Sequence, residues 1–173
     1  MSTGDPLEAV PVGDAAPDFS LQCTEGHHVR LSDFAGAPVV LYFYPEDHTL
    51  GCTMEARRFR DYFEAVSLHK AVILGVSRDN HENHCSFRDK NQLPFELLSD
   101  EDGAVHDLYG AWKKPLFGSG KKMRRCTYLI APDGTVAKFY PRVNPAAHPA
   151  EVVQDLEAFV NEEWPPQASA AAL

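Results

Sequence analysis

The sequence predicts an α/β domain, with a mixed central sheet flanked by helices and a β-hairpin at its N-terminal end. Its 173 residues, 44% of them hydrophobic, suffice for one compact core. Apolar runs of strand length alternate with segments of helical periodicity, a pattern typical of a sheet covered on both sides. Turn residues at Glu25-Gly26 and Pro132-Asp133-Gly134 predict a hairpin near each end. We expect one domain over residues 16–164, a flexible lead-in over 1–15 and a flexible tail over 165–173.

The elements of the first half follow from hydrophobic spacing. Residues 18–31 contain two short apolar stretches around a turn, which predicts the N-terminal hairpin. Residues 38–44 form a nearly unbroken apolar run, typical of a strand that is buried on both faces. Over 52–66, large apolar residues recur at helical spacing from Phe59 onward, which predicts an amphipathic helix. Residues 71–77 repeat the pattern of a buried strand.

The second half continues the alternation. The predicted elements are a helix over 80–91, a strand over 95–98, a short helix over 104–112, a hairpin of 126–131 with 135–140, and a last helix over 149–163. The first of these helices is polar and lacks Gly and Pro, so we expect it to be solvated. The last helix has one apolar face that runs from Val152 to Val160.

Charge excludes several classes of partner. Sixteen Lys and Arg against twenty-five Asp and Glu give a formal net charge of -9. An acidic chain is repelled at long range by nucleic acid and by anionic membranes, so we expect neither partner. No stretch approaches about 18 continuous apolar residues, the length that a membrane-spanning helix needs.

The cysteines are dispersed along the chain as Cys23, Cys52, Cys85 and Cys126, and no two form a C-x-x-C pair. A chain of this size needs no disulfide to stabilise its core, and the N-terminus lacks the basic start and apolar run of a signal peptide. We therefore expect reduced thiols in a cytoplasmic protein, without a cofactor.

The segment most informative about chemistry leads from the strand over 38–44 to the helix that begins near Cys52. In α/β sheets, ligands collect where strands end and helices begin. Backbone N–H groups at a helix start carry partial positive charge and favour a thiolate over a thiol. Thr49 brings a hydroxyl within one turn of Cys52, and Pro45 stiffens the loop. The alternative is that Cys52 is a small buried residue, which is the commoner fate of a cysteine.

These residues carry a resemblance. Pro45, Thr49 and Cys52 form P-x-x-x-T-x-x-C after an apolar strand, which resembles the active-site motif of peroxiredoxins. Other matching blocks, in order, are Ala16-Pro17-Asp18-Phe19, Leu31-Ser32-Asp33-Phe34, Tyr42-Phe43-Tyr44-Pro45, LGVSRD, LPFELLSD and RCTYLIAPDG. They resemble the bacterioferritin-comigratory, or PrxQ-like, branch over residues 16–159.

The resemblance implies a thioredoxin-like fold and an enzyme that reduces hydrogen peroxide and organic hydroperoxides through a cysteine sulfenic acid. Thioredoxin or another thiol would be the reductant, and the protein would be a monomer or a weak dimer. Cys52 then corresponds to the peroxidatic cysteine, Thr49 to the residue that orients the peroxide, and Pro45 to the residue that shields the pocket. Arg125 corresponds to the arginine that stabilises negative charge, unless it is a surface charge, and Glu55 would orient an arginine.

The arginine that Glu55 would orient, according to the resemblance, is either Arg125 or Arg58. The chain also departs from the branch at the resolving cysteine, because the position five residues after Cys52 is Arg57. Cys85, in the helix over 80–91, is our candidate resolver, although its register differs from the branch by about one helical turn. The alternative is a one-cysteine mechanism in which an external thiol reduces Cys52 directly.

The remaining cysteines, Cys23 and Cys126, are expected to be packing residues. Two further patterns have plain alternatives. His81, His84 and Cys85 share one helical face and could bind a metal, but with no fourth ligand we favour a solvated face. Six of the sixteen basic residues lie within 113–125, either as a solvated loop or as a site that attracts an anionic partner.

Two other functions compete with a peroxidase. A thiol–disulfide oxidoreductase needs a second cysteine close to Cys52, usually in C-x-x-C, and Glu55 occupies that place. A non-catalytic thioredoxin-like binding or chaperone module needs no reactive residues. The joint presence of Thr49, Cys52 and Arg125 argues against it.

Overall fold

The computed structural model describes residues 7–162. The strands are β1 (Ser20–Cys23), β2 (His28–Arg30), β3 (Val39–Phe43), β4 (Val72–Ser77), β5 (Glu96–Ser99), β6 (Trp112–Lys113), β7 (Lys122–Met123), β8 (Cys126–Ile130) and β9 (Val136–Tyr140). The helices are α1 (Leu50–Asp61), α2 (Phe63–Leu68), α3 (His81–Asn91), α4 (Ala104–Leu108) and α5 (His148–Asn161), with a short 3-10 helix over Leu31–Phe34. The predicted tail over 165–173 lies outside the described residues.

The central sheet has seven strands in the order β2-β1-β5-β4-β3-β8-β9. Strands β3, β4 and β5 are parallel, whereas β1, β2, β8 and β9 pair antiparallel at the two sides. The predicted mixed sheet is therefore confirmed, with a hairpin at each edge. Strand β3 is buried along its whole length because it has a neighbour on each side and helices or loops on both faces.

Two hydrophobic cores lie on opposite faces of the sheet. Helices α1, α3 and α5 cover one face, to which they contribute Phe59, Phe87 and Leu156. Helix α4 and the N-terminal segment cover the other face with Val105 and Val10. The reactive segment between β3 and α1 belongs to the first face, since Cys52 is part of that core. Among residues 7–162, no helix is both long and apolar enough to cross a membrane.

The N-terminal segment differs from the flexible lead-in that we expected over 1–15. The N–H of Val10 donates to the Tyr128 hydroxyl at 3.1 Å. The N–H of Gly13 donates to the Val136 carbonyl at 2.8 Å, and the N–H of Val136 donates to the Asp14 carbonyl at 2.9 Å. Residues 10–14 are therefore held against β8 and β9, whereas residues 1–6 lie outside the described part of the chain.

Two predicted helices are shorter than their patterns indicated. The helix over 52–66 is divided at Tyr62, whose φ of -95° and ψ of 3° interrupt the helical geometry between α1 and α2. The helix over 104–112 stops at Leu108, and Gly110 follows with φ +59°. A Cβ at Gly110 would lie 2.1 Å from the Glu8 carbonyl oxygen, so glycine both ends the helix and lets the N-terminal segment approach. Trp112 instead begins β6, which the sequence did not predict.

Helix α3 was expected to be solvated, and this expectation is wrong for one of its faces. His84, Phe87 and Asn91 are all buried, with His84 and Phe87 fully inaccessible. The polar character of His84 and Asn91 hid this buried face, because periodicity of apolar residues is the signal from which burial is predicted. The predicted solvated face of His81, His84 and Cys85 is therefore incorrect.

Candidate active site

Cys52 lies in the first turn of α1, directly after the loop that leaves β3. Its side chain belongs to the buried core, and the residue is 2% exposed. The first backbone bond of the helix runs from the N–H of Thr53 to the carbonyl of Thr49, at 2.9 Å. The N–H groups of Leu50, Gly51 and Cys52 thus precede the helical ladder and give this turn partial positive charge.

Arg125 reaches Cys52 because of strand pairing. Arg125 immediately precedes β8, whose first residue, Cys126, pairs with Phe43 at the end of β3. From there the guanidinium Nη2 donates to Cys52 Sγ at 3.2 Å. Its Nη1 donates to a carboxylate oxygen of Glu55, one turn further along α1. A single guanidinium therefore joins the thiol to a buried carboxylate.

The electrostatics of this cluster depend on burial. Glu55 is fully buried, and this burial raises its pKa to about 7 although the charge of Arg125 opposes the shift. Its second oxygen, Oε1, has no hydrogen-bond partner among the described residues. Burial disfavours the charge of Arg125, yet the Glu55 carboxylate and the Cys52 sulfur together raise its pKa. Arg125 is a permanent cation held at the sulfur.

Thr49 and Pro45 frame the same turn. Thr49 is the residue that precedes α1, and its hydroxyl donates to the Glu46 carbonyl at 2.9 Å. This bond fixes the hydroxyl one turn before Cys52 and leaves its oxygen able to accept a further hydrogen bond. Pro45 is half-buried at the start of the loop.

Gly51 is a feature that sequence reasoning missed. A Cβ at this position would lie 3.1 Å from Arg125 Nη2 and 3.9 Å from Pro145. The absence of a side chain therefore leaves room for the guanidinium beside the helix start. Of the two arginines predicted for Glu55, the structure brings Arg125 to it, whereas Arg58 donates to the Ala146 carbonyl at 3.0 Å.

A buried polar network, also missed, lies behind the loop. His84 Nδ1 lies 2.6 Å from Asp47 Oδ2, and both side chains are fully inaccessible. The Tyr44 hydroxyl donates to the other Asp47 oxygen at 2.6 Å. His84 Nε2 lies 3.1 Å from the carbonyl oxygen of Leu98. This network ties the Cys52 loop to α3 and to the end of β5.

The same network is the one cluster, within residues 7–162, whose side chains could hold a metal ion. Ligand atoms of Asp47, Asp79 and His84 all lie within 4.8 Å of one another. Hydrogen bonds already occupy them, since Asp79 Oδ2 accepts from the Ser77 hydroxyl at 2.6 Å and from the N–H of Asp47 at 2.9 Å. We assign the cluster to hydrogen bonding.

Cys85 lies on a different side of α3 from His84. It is half-buried, and its thiol donates to the Thr24 carbonyl at 3.4 Å, beside the turn of the first hairpin. Its sulfur also lies 3.4 Å from His81 Nε2. Because Cys52 contacts Arg125 and Cys85 contacts the hairpin, the structure does not bring these two thiols together.

All four cysteines are free thiols, and two of them are packing residues. Cys23 and Cys126 are fully buried in the core that faces away from α1 and α3. Burial raises the pKa of the Cys126 thiol to about 12, and burial also raises that of Cys23. Neither thiol is therefore activated for nucleophilic chemistry.

The amino-acid sequence matches a known protein family and known relatives. The sequence model of the AhpC/TSA family matches residues 12–139. Peroxiredoxin Bcp of Bacillus subtilis is 41% identical over 150 residues, which cover 86% of this chain and 96% of that protein.

Two solved structures agree with the fold. The bacterioferritin comigratory protein of Xanthomonas campestris, solved in connection with its alkyl peroxide reduction activity, aligns with a TM-score of 0.80 and 33% identity, covering 87% of this chain and 98% of that one. A cysteine-to-serine variant of PrxQ from Xylella fastidiosa aligns with a TM-score of 0.84 and 29% identity, covering 88% and 99%.

Proposed function

The chain belongs to the AhpC/TSA family and is a peroxiredoxin, a thiol-dependent peroxidase, and on this premise we propose that Cys52 is its peroxidatic cysteine. The observation that carries the assignment is the guanidinium of Arg125, which donates to Cys52 Sγ at 3.2 Å while Glu55 holds its other nitrogen. None of the other three cysteines has an ion-paired guanidinium at its sulfur within the described structure.

In the first step, the Cys52 thiolate attacks one oxygen of the hydroperoxide. An S–O bond forms, the O–O bond breaks, and the departing alkoxide or hydroxide takes up a proton to leave as alcohol or water. Cys52 is oxidised to the sulfenic acid and the peroxide is reduced. Negative charge moves from sulfur to the leaving oxygen, and Arg125 can donate to both positions because it is fixed and permanently charged.

Thr49 and Pro45 position the substrate in this proposal. The Thr49 hydroxyl already donates to Glu46, so its oxygen accepts a hydrogen bond from the O–H of the hydroperoxide and orients the O–O bond toward the sulfur. Pro45 shields the thiolate at the start of the loop. Hydrogen peroxide and organic hydroperoxides are the proposed substrates, in keeping with the alkyl peroxide reduction described for the Xanthomonas campestris relative.

We propose Cys85 as the resolving cysteine. Its thiolate attacks the sulfur of the Cys52 sulfenic acid, an S–S bond forms, and hydroxide leaves as water after protonation. A disulfide needs Cα atoms within about 7 Å, whereas Cys85 faces the first hairpin. Helix α3 must therefore unwind locally before the bond forms. Thioredoxin or another dithiol then reduces the disulfide.

The peroxidatic assignment is tested by peroxidase turnover with hydrogen peroxide, followed as NADPH oxidation through a thioredoxin system. Cys52→Ser is expected to abolish turnover, while the matched variant Cys126→Ser retains it because that thiol is a buried packing residue. Turnover in Cys52→Ser equal to that of the parent protein would show that the nucleophile lies elsewhere.

The resolving assignment is tested by mass and disulfide mapping after one equivalent of hydrogen peroxide. We expect a Cys52–Cys85 bond in the parent protein and a lone sulfenic acid in Cys85→Ser. If Cys85→Ser still forms an intramolecular disulfide, Cys85 is not the resolver. If the parent protein forms none, an external thiol reduces Cys52 directly.

We further propose a cytoplasmic monomer or weak dimer. The four free thiols support a reducing compartment. Analytical ultracentrifugation over a hundredfold concentration range tests the assembly state, since a weak dimer dissociates on dilution and a permanent oligomer does not.

A further inference from the structure

A cavity of about 680 Å³ is lined in part by Arg125, the residue whose guanidinium also contacts the Cys52 thiol. Its described lining is Leu7, Trp112, Lys113, Lys114, Arg124, Arg125, Pro141, Arg142 and Val143. Five of these nine residues are cations and none is an acid. Neither Cys52 nor Thr49 lines the cavity, so it shares the arginine with the thiol but is separate from the place where the peroxide reacts.

Four of the five cations in this cavity are not neutralised by neighbouring carboxylates. Within residues 7–162, no carboxylate lies in ion-pair distance of Lys113, Lys114, Arg124 or Arg142, and only Arg125 is paired, with Glu55. This concentration is unusual in a protein of net charge -9, in which carboxylates outnumber cations. Like charges that converge without counterions are stabilised when an anion binds between them.

Two of the cations are already fixed. Arg124 Nε donates to the Pro141 carbonyl at 3.1 Å, and its guanidinium lies 5.2 Å from the Phe139 ring centre. Arg125 is held by Glu55. Arginine side chains that are positioned before the ligand arrives lose less conformational freedom on binding and favour planar, two-pronged contacts with oxyanions.

From these observations we propose that the cavity binds a compact, multiply charged anion that bears phosphate groups. Its volume is that of a small-molecule site. Four cations without a carboxylate partner suit a ligand with several negative charges rather than a single carboxylate. The net charge of -9 opposes an extended polyanion such as nucleic acid, whereas a compact anion meets only the local positive field. The proposed ligand is distinct from the hydroperoxide, and the inference does not depend on the peroxidase step.

Binding is tested on the full chain with inorganic pyrophosphate as the probe. Trp112 lines the cavity and reports through its fluorescence, once the second tryptophan is removed by Trp164→Phe. We expect a saturable change with pyrophosphate and no comparable change with sodium chloride at equal ionic strength. An equal response to the two salts would overturn the proposal, because it would indicate screening rather than a site.

Charge reversal locates the site. Lys114→Glu and Arg142→Glu are each expected to weaken pyrophosphate binding about tenfold or more, since each removes a charge-assisted contact. Lys90→Glu, an exposed position on α3, makes the same change in net charge and is expected to have little effect. If Lys90→Glu weakens binding as much as Arg142→Glu, the effect is one of net charge and the assignment is wrong.

A separate readout keeps this proposal apart from the proposed function. Peroxidase turnover with hydrogen peroxide, measured without pyrophosphate, is expected to be the same in Lys114→Glu, Arg142→Glu and the parent protein. Pyrophosphate binding by Cys52→Ser is likewise expected to be retained. Loss of binding in Cys52→Ser would show that the anion occupies the reactive site itself, which would overturn a separate cavity.

Discussion

The two cysteines assigned to the reaction lie in opposite kinds of environment. Cys52 is buried in the first turn of α1 and receives a hydrogen bond from a guanidinium that Glu55 fixes. Cys85 is half-buried in the middle of α3, and its thiol meets a backbone carbonyl and a histidine at the first hairpin. In the proposed mechanism, the peroxide step is therefore preorganised in the folded protein, whereas the resolving step requires a change of structure.

Specific contacts maintain the separation of the two regions. Asp47, in the Cys52 loop, pairs with His84 of α3 at 2.6 Å. Arg57 of α1 donates to the side chain of Asn91 at 2.8 Å, at the other end of α3. Arg57 stands where the resembling branch places a local resolver, so here that position holds α1 to α3. In the proposed resolving step, these contacts break, at least in part, before Cys85 reaches Cys52.

The largest expected effect comes from breaking the Asp47–His84 pair. Asp47→Ala leaves the buried His84 imidazole and the buried Tyr44 hydroxyl without a hydrogen-bond partner that both now use, which should lower the free energy of unfolding by about 3–5 kcal/mol. Urea denaturation at pH 7 measures the change. Asp61→Ala, which removes an exposed pair with Arg60, should cost less than about 1 kcal/mol. A loss for Asp47→Ala as small as that would mean that the pair does not hold the two regions together.

The second largest effect is expected from removing the contact between Arg125 and Cys52. Arg125→Met keeps the apolar stem of the side chain but removes the charge and both donors, so the peroxide step should slow by about 10²–10³-fold. Stopped-flow measurement of Cys52 oxidation by hydrogen peroxide gives the rate constant. Arg124→Met is the matched control, since Arg124 donates to Pro141 and not to Cys52. A loss shared equally by both variants would assign the effect to general positive charge.

The environments of the two cysteines also differ in how much of each could be predicted from the sequence. The predicted succession of strand, loop and helix placed Cys52 at the start of a helix. The resemblance to peroxiredoxins identified Thr49 and Arg125 as candidate site residues. The role of His84 was not predictable, because its partner Asp47 is 37 residues away and a histidine on a polar helix gives no apolar signal. Gly110 was hidden for a similar reason, since its constraint is a contact with Glu8 that only the folded chain makes.

The third effect concerns pH and the link between Glu55 and Arg125. The pKa of Glu55 is about 7 in the folded protein, against 4.5 as its ordinary value. Because the fold favours the protonated acid, the Glu55 contribution to stability is fully present below about pH 4.5 and is lost as the pH rises to 7. The loss amounts to about 3 kcal/mol.

Glu55→Gln removes this titration, so the difference in unfolding free energy between parent and variant should change with pH between 4.5 and 7 and be constant above. Urea denaturation across that range measures it. Ionised Glu55 also holds Arg125 at the sulfur, so the peroxide rate of the parent protein should rise through pH 7 more steeply than that of the variant. A constant stability difference across the range would mean that Glu55 is ionised throughout.

The smallest effect is expected from weakening the start of α3, the helix that carries Cys85. The side chain of Asn80 accepts from the N–H of Asn83 at 2.9 Å and caps α3. Asn80→Ala removes this cap, which should make local unwinding easier by about 1 kcal/mol and disulfide formation about fivefold faster. The peroxide step should be unchanged, because α1 keeps its own start. Asn83→Ala is the control, since it is exposed and keeps the backbone donor. Rapid acid quench after peroxide, with quantification of the disulfide, measures both steps. If Asn80→Ala leaves the disulfide rate unaltered, unwinding of α3 does not limit resolution, and the separation of the two cysteines must be overcome by movement of α1 instead.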